Sequence, residues 1–367
     1  NDHYASSPPV TFIVRQFATG NVPYHFIRKS IFYRFLNMKK VLFIYIVREG
    51  LGIASKAEKI EQGFRRAGCD LTVKSFIISE KKLPLLIQII RLSFDVAYTL
   101  MKKKYDVVFV RNAYYFLFLF FLCWIMHVKI QLEINTKEKE EFLIQGQRLR
   151  AWINSISFFL ACKSASRIHA VTYELLDHYK KMCPQASLVF NPNFVVDEEY
   201  IRIPPEKEGE KTNLVFLGST NQPWQGLDVF IQKVIIGNSW LLENCRLHVI
   251  GEYGVNIKNL IERNSLQASI IMHGYLWGQA KREVMTKMHI GIGVFSLEVK
   301  SMLQATPIKI GEYLYAGLPV IIGYDDPRLP TDQRIPMWLR IDIHRESNLH
   351  HRVNEFIMAV RREPSIR

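Results

Sequence analysis

Two ionisable side chains three residues apart, Lys309 and Glu312, sit inside the segment Thr306-Pro-Ile-Lys-Ile-Gly-Glu-Tyr-Leu-Tyr-Ala-Gly-Leu-Pro-Val-Ile-Ile322. Thr306 suits an N-cap and Pro307 the first helical turn. Gly317 suits the left-handed position that closes a helix, and Pro319 stops any continuation before a strand at 320–322. The spacing puts Lys309 and Glu312 on neighbouring positions of one helical face. The helix dipole disfavours a cation in the first turn unless an anion is near. A diphosphate there would reverse that sign, at about 1–3 kcal/mol for a charge-assisted hydrogen bond. A carboxylate one turn further on could accept both hydroxyls of a ribose. The same spacing equally suits a surface ion pair worth about 0.2–0.5 kcal/mol.

Charges at a helix start need a scaffold that places that start. Short apolar runs alternate with helical patterns along the chain. Candidate strands are 41–47, 71–77, 107–110, 130–133, 167–171 and 187–190 in the first half, and 213–216, 246–250, 269–272, 290–294 and 320–323 in the second. Helical patterns at 54–67, 147–164, 173–181, 227–234, 280–287 and 307–316 separate most of them, and a last one spans 348–362. Near-continuous apolar strands between helices imply parallel sheets covered on both faces. The predicted organisation is an extension over 1–38, a Rossmann-like domain over 39–196, an exposed Glu/Pro/Lys-rich linker over 197–212 and a second Rossmann-like domain over 213–367, the two facing a cleft. Met38, directly before the first strand, reads as a natural start. The uncharged run 112–128 falls short of a bilayer span. It reads as a buried helix, with a helix dipping into the membrane interface as the alternative.

The 367 residues are 49% apolar and 22% charged, which excludes a disordered chain. Net charge is +14, and it is unevenly placed. Residues 1–196 hold 28 Lys and Arg against 14 Asp and Glu, while 197–367 hold 20 of each. That asymmetry suits an anionic partner for the first half, namely a membrane surface, a polyphosphate or nucleic acid, or simply a basic soluble surface. The five cysteines, Cys69, Cys123, Cys162, Cys183 and Cys245, form no CxxC, so no disulfide framework is expected and a reduced cytoplasmic chain is the default. His169, His178, His248, His273 and His289 are isolated in sequence, without metal-ligand spacing.

The segment 306–322 closely resembles the nucleotide-sugar signature of glycosyltransferase family 4 (group 1), retaining enzymes of the GT-B fold. Its surroundings match in order. Leu214-Val-Phe-Leu-Gly218 resembles the strand and glycine turn that open the donor domain, and Trp224-Gln-Gly-Leu-Asp228 the element that opens its first helix. Leu247-His-Val-Ile-Gly-Glu252 resembles the strand ending in Gly and an acid, and Met272-His-Gly-Tyr-Leu276 the loop near the base. In the first half, Val47-Arg-Glu-Gly-Leu-Gly52 resembles the first-strand glycine loop, and Glu133-Ile-Asn-Thr136 a mid-domain loop of some bacterial members. Two departures stand out. The first of the family's two glutamates is Gln304, the second being Glu312. The Arg and Lys that many members place after the first donor strand are replaced by Ser219-Thr220 and Gln225, leaving Lys300 or Lys309 to supply the charge.

The resemblance implies transfer of a sugar, with retention, from a nucleotide-diphosphate sugar to a glycan or lipid-linked acceptor, in cell-surface polysaccharide or glycolipid synthesis. No metal and no cofactor beyond that co-substrate are implied. Glu312, Lys309 and Lys300 are the implied catalytic residues. Gly218, Ser219, Trp224, Gln225, Gly226, Glu252, Tyr275, Leu276, Gln304, Pro307 and Ile308 would join Lys309 and Glu312 around the donor. Gly50, Gly52, Lys56, Arg111 and Glu133 would meet the acceptor. The expected location is cytoplasmic, peripheral on the inner face of the plasma membrane. Three other readings stay open. One is a non-catalytic member with the same fold. Another is an NAD-binding enzyme using Gly50-Leu-Gly52-Ile-Ala-Ser55, with Glu80 as the second-strand acid. A nucleic-acid binder is disfavoured, because no helix-turn-helix, zinc-finger or RNP-type pattern occurs.

Overall fold

A computed structural model of the chain describes residues 40–48, 52–78, 85–111, 116–193, 210–330 and 337–362. They fall into two compact units, the first ending at Pro192 and the second beginning at Asn193. Expectations placed on 1–39, on Gly50, on Glu80 and on 197–209 of the linker lie outside the described residues.

In the first unit, β1 (Lys40–Arg48), β2 (Asp70–Ile78), β3 (Val107–Arg111), β4 (Ile130–Ile134), β5 (Ala165–Ala170) and β6 (Ser187–Phe190) form a sheet in the order β2-β1-β3-β4-β5-β6. All its pairs are parallel. β3 and β4 are buried along their whole length, because helices cover both faces. α1 (Gly52–Arg66) carries the chain outward from β1 to β2. α2 (Leu85–Lys102), α3 (Leu117–Ile125), α4 (Glu138–Ile144), α5 (Arg148–Ser164) and α6 (Tyr173–Met182) carry it back across the sheet. Right-handed crossovers place that second group on the face opposite α1. Phe43, Phe64 and Phe109 seat α1 on the sheet, with edge-on ring contacts at 5.8 and 5.7 Å.

Two expectations change here. The apolar run contains α3, which buries Leu119, Phe120 and Cys123 but exposes Phe121, Trp124 and Ile125, so it is a core helix on one face only. Among the described residues no helix is long and apolar enough to cross a membrane. Cys162 and Cys183 are joined by a disulfide, with Cα atoms 5.3 Å apart, where none was expected. α5 ends where β5 begins, and α6 ends just before β6. Because those strands are parallel neighbours, both helix ends come to the same sheet edge, and no sequence spacing announces that.

In the second unit, β7 (Thr212–Leu217), β8 (Cys245–Ile250), β9 (Ile270–Gly274), β10 (Ile290–Ile292), β11 (Val320–Ile322) and β12 (Trp338–Arg340) form a parallel sheet in the order β12-β11-β10-β7-β8-β9. The edge strand β12 was not anticipated, since three residues are too few to show a period. The helices are α7 (Leu227–Phe230), which continues as a π-turn over Ile231–Ile235, α8 (Ser239–Asn244), α9 (Val255–Arg263), α10 (Gly278–Met285), α11 (Ile308–Tyr315) and α12 (Leu349–Arg362). α12 sends Leu349, Val353, Phe356, Ile357 and Val360 into this unit's core at helical spacing.

Candidate active site

The carboxyl ends of β7 and β10 lie side by side, and the chain leaves them in opposite directions, toward β8 and β11. Open parallel sheets bind ligands at such a switch point. α11 links β10 to β11, so its N-terminus opens on this edge. Tyr313 anchors it. The hydroxyl accepts from the Leu217 amide at 2.7 Å and donates to the Ile292 carbonyl at 3.4 Å. Its ring crosses Gly291, where a Cβ would lie 2.2 Å from a ring carbon. At the far end Gly317 takes φ 77°, and Gly317 and Leu318 return their amides to Leu314 and Tyr313, the closure expected from the sequence.

The start of α11 differs from expectation. Pro307 is the cap residue, at φ −61° and ψ 143°, and its side chain makes no capping bond. Thr306 is engaged elsewhere: its Oγ1 and its carbonyl accept from the Asn193 amide and Nδ2 at 3.2 and 2.7 Å. Arg328 holds the same turn, donating to the Asn193 and Pro307 carbonyls while paired with buried Asp326.

Lys309 projects from the first turn of α11 and is only 8% exposed. Its Nζ donates to Gln225 Oε1 at 2.8 Å, lies 3.4 Å from the Gly293 carbonyl oxygen and stands 3.8 Å from the centre of the Phe216 ring. An amide, a carbonyl and an aromatic face carry no net charge. Burial pushes this ammonium well below the usual lysine range. A Cβ at Gly218 would lie 3.8 Å from both Lys309 Nζ and Gln225 Oε1. Gly226 takes φ 62° and passes so close to Ser296 that a Cβ would meet the Ser296 amide nitrogen at 2.8 Å. Lys300 is buried, with Nζ 4.7 Å from the centre of the Trp224 ring. Gly218, Trp224, Gln225, Gly226, Lys300 and Lys309 thus gather at one strand edge.

Glu312 takes a different partner. Its Oε2 accepts from Lys281 of α10 at 2.8 Å, so the surface pair between Lys309 and Glu312 does not form. Lys281 was not foreseen, because nothing in its local sequence marks it. The Gly293 carbonyl and Tyr313 were missed for the same reason. Tyr275 and Leu276 form the loop from β9 to α10, the first exposed and the second half-buried. Exposed Glu252 accepts the Thr220 amide through its carbonyl at 2.9 Å, and Ser219 Oγ accepts the Asn221 amide at 3.3 Å. Gln304 forms a backbone bridge with Asp325. Ile308 is the first residue of α11.

In the first unit, Lys56 of α1, Arg111 at the end of β3 and Glu133 of β4 converge. Lys56 pairs with Glu133 and donates to Asn135 Oδ1 at 2.6 Å, and Arg111 Nη1 lies 3.7 Å from Glu133 Oε2. Burial lowers Lys56 to about 8 against the pull of Glu133. Burial alone would raise the Glu133 carboxyl, but Lys56 and Arg111 overrule it and hold it below the usual range. Gly52 opens α1. The histidines isolated in sequence are not all isolated in space. His248 and His273, on adjacent strands, stack with a 2.9 Å nitrogen contact, and burial lowers His248 to about 4. Among the described residues no group of three or more His, Cys, Asp or Glu side chains is arranged to hold a metal.

Residues 211–327, which carry the whole lysine site, match the family model of glycosyl transferases group 1. This segment is a group 1 glycosyltransferase domain. No curated protein matches the chain by sequence. Solved structures with the same fold include sucrose-phosphate synthase of Thermosynechococcus elongatus, at TM-score 0.63 and 11% identity over 89% of this chain and 92% of that one. The apo form of the lipopolysaccharide outer core galactosyltransferase WaaB gives 0.59 and 12%, over 88% and 91%. Anabaena HepE in complex with UDP and glucose gives 0.56 and 13%, over 90% and 92%. At such identities the likeness establishes the fold, which is GT-B, with one parallel sheet in each unit. The glycosyltransferase domain places the chain among transferases.

Proposed function

We propose that the chain transfers a sugar from a nucleotide-diphosphate sugar to a glycan or lipid-linked acceptor with retention of configuration, in cell-surface polysaccharide or glycolipid synthesis. The reading rests on Lys309, a buried cation with neutral neighbours at a helix start whose cap residue, Pro307, makes no side-chain bond, at the switch point of the matched domain. An anion at that point gains the lysine and the positive end of the α11 dipole together. Donor diphosphate charge fits both, and Lys300 adds a second cation. No bound metal and no further cofactor enter the proposal, because two lysines and backbone amides supply the charge that a departing diphosphate needs. Glu312, one turn along the helix, would hold the donor ribose, and Tyr275 and Leu276 the base. The acceptor would be met by the first unit, where Lys56, Arg111 and Glu133 converge. The basic first half suits a partner at an anionic membrane surface.

The test is a thermal-shift screen of the full chain against UDP, GDP, ADP, CMP and NAD. Ligand at 100 times its dissociation constant adds about 2.7 kcal/mol, a shift of about 5 °C or more. A selective UDP or GDP shift that Glu312→Ala removes supports the proposal. A shift with NAD alone sinks it. Silence from every nucleotide replaces it with a non-catalytic chain of the same fold, in keeping with the neutral Gln304.

A further inference from the structure

The helices on one face of the first sheet carry their apolar residues on the wrong side for a soluble protein. α2 buries Ile89, Leu92, Val96 and Ala97 against the sheet, yet exposes Ile87, Ile90, Phe94, Tyr98 and Met101. Those five recur at three- and four-residue intervals, which is one continuous outer stripe. α3 packs between α2 and α5, and the Phe94 ring meets Phe118 of α3 edge-on at 5.1 Å. α3 adds exposed Phe121, Trp124 and Ile125, and α5 adds Leu149, Trp152 and Phe159, with Trp152 63% exposed. Isolated exposed apolar residues are ordinary, but a band across three adjacent helices marks an interaction surface.

The charges on these helices select the partner. α2, α3 and α5 carry Arg91, Lys102, Arg148, Arg150 and Lys163 against one acid, Asp95. Asp95 is already paired with Lys74 at 2.8 Å. All five bases are exposed. Lys102 and Lys163 lie along the aromatic stripe, with Nζ 5.6 and 4.9 Å from the ring centres of Tyr98 and Phe159. Aromatic bodies beside long cationic side chains suit the boundary between lipid tails and headgroups. A second copy of this face would bring like charges together, which opposes self-association.

We propose that the outer face of α2, α3 and α5 seats the protein on a bilayer of anionic lipid. The inference names the anionic partner of the function proposed above and rests on that reading for its purpose, whereas the contact itself follows from the surface. Flotation of the full chain with equimolar phosphatidylglycerol and phosphatidylcholine vesicles tests it. The chain is expected to float with these vesicles, less so as salt rises toward about 0.5 M, and to stay behind with phosphatidylcholine alone. Phe94→Glu with Trp152→Glu, at two exposed positions, is expected to cut partitioning about tenfold or more. Its nucleotide-induced thermal shift should match that of the wild-type chain. A wild-type chain that ignores the anionic vesicles, or a double variant that floats as well as wild type, overturns the proposal. So does a dimer in sedimentation that the two substitutions abolish. Loss of every nucleotide shift with vesicle binding intact would overturn the donor reading and leave this face standing.

Discussion

Lys309 donates its ammonium to the side-chain oxygen of Gln225 at 2.8 Å, a neutral partner for a buried cation. Among the described residues no carboxylate pairs with this ammonium; burying a charge without a counter-charge is unfavourable, and a bound diphosphate would supply one. Lys309→Met fills the same space without the charge. It is expected to leave Tm unchanged or higher and to lower kcat/KM by about 10²–10³-fold, the effect of losing one preorganised donor to developing negative charge. Steady-state kinetics with the sugar nucleotide selected by thermal shift, beside a melting curve, would show this. Wild-type turnover in the variant would end the assignment.

The depressed lysine also predicts a pH signature. Nucleotide diphosphate next to Lys309 raises its affinity for a proton, so binding takes up protons and weakens as pH climbs past the depressed value. Calorimetric titrations in two buffers of different ionisation enthalpy measure the uptake, which Lys309→Met should abolish. In the empty protein the unfolded lysine keeps its proton to about pH 10.4, while the folded one loses it earlier. The unfolded state therefore holds more protons across that interval, and this group's contribution makes stability rise with pH through it.

Glu312 and Lys281 form a partly buried pair, 19% and 23% exposed. A pair that wet contributes about 0.2–1 kcal/mol, so Lys281→Met should leave the melting curve nearly in place. Glu312→Gln keeps the volume but loses the charged acceptor for two ribose hydroxyls, and its donor KM is expected to rise about tenfold or more. An unchanged KM would remove Glu312 from the donor site.

Glu133 is 1% exposed and sits between Lys56 and Arg111. Glu133→Ala strands two buried cations side by side, at a cost of about 3–5 kcal/mol. The melting temperature should fall by about 6–15 °C. The carboxyl is held below its usual range, so its contribution is present at neutral pH and lost as pH falls through that lowered value. Melting curves for wild type and variant should converge in acid.

Cys162 and Cys183 are cross-linked, whereas Cys69, Cys123 and Cys245 carry thiols outside any disulfide. Thiol titration of the unreduced, denatured chain should count three. Replacing both linked cysteines with alanine should cost about 3 kcal/mol for a closure of this length. Five titratable thiols would refute the bond.

Local features of the sequence carry a good part of this description. The apolar strands of the first sheet, the helix closed by Gly317 and Pro319, and the lysine in that helix's first turn are legible because each depends on residues within one or two turns of chain. So is the strand-helix alternation from which two parallel sheets follow. What escaped is non-local. β12 is three residues held by its neighbour β11. Lys281, the Gly293 carbonyl and the Tyr313 anchor become parts of a site only because the sheet brings 217, 281, 293 and 313 to one edge. Thr306 makes the same point: its chain neighbours favour a cap, but Asn193, far away in sequence, takes its hydroxyl. The outer stripe of α2 shows the limit of pattern reading. Hydropathy counts Phe94 and Leu92 alike, and only packing shows that one faces the sheet and the other faces outward. Sequence by itself determined most of the strands and the helix that carries Lys309 and Glu312, because backbone preference and hydropathic period act over a few residues. Tertiary structure alone decided which charges meet, which cysteines join and which apolar face stays open, because those depend on distances that the chain closes only once its sheets have formed.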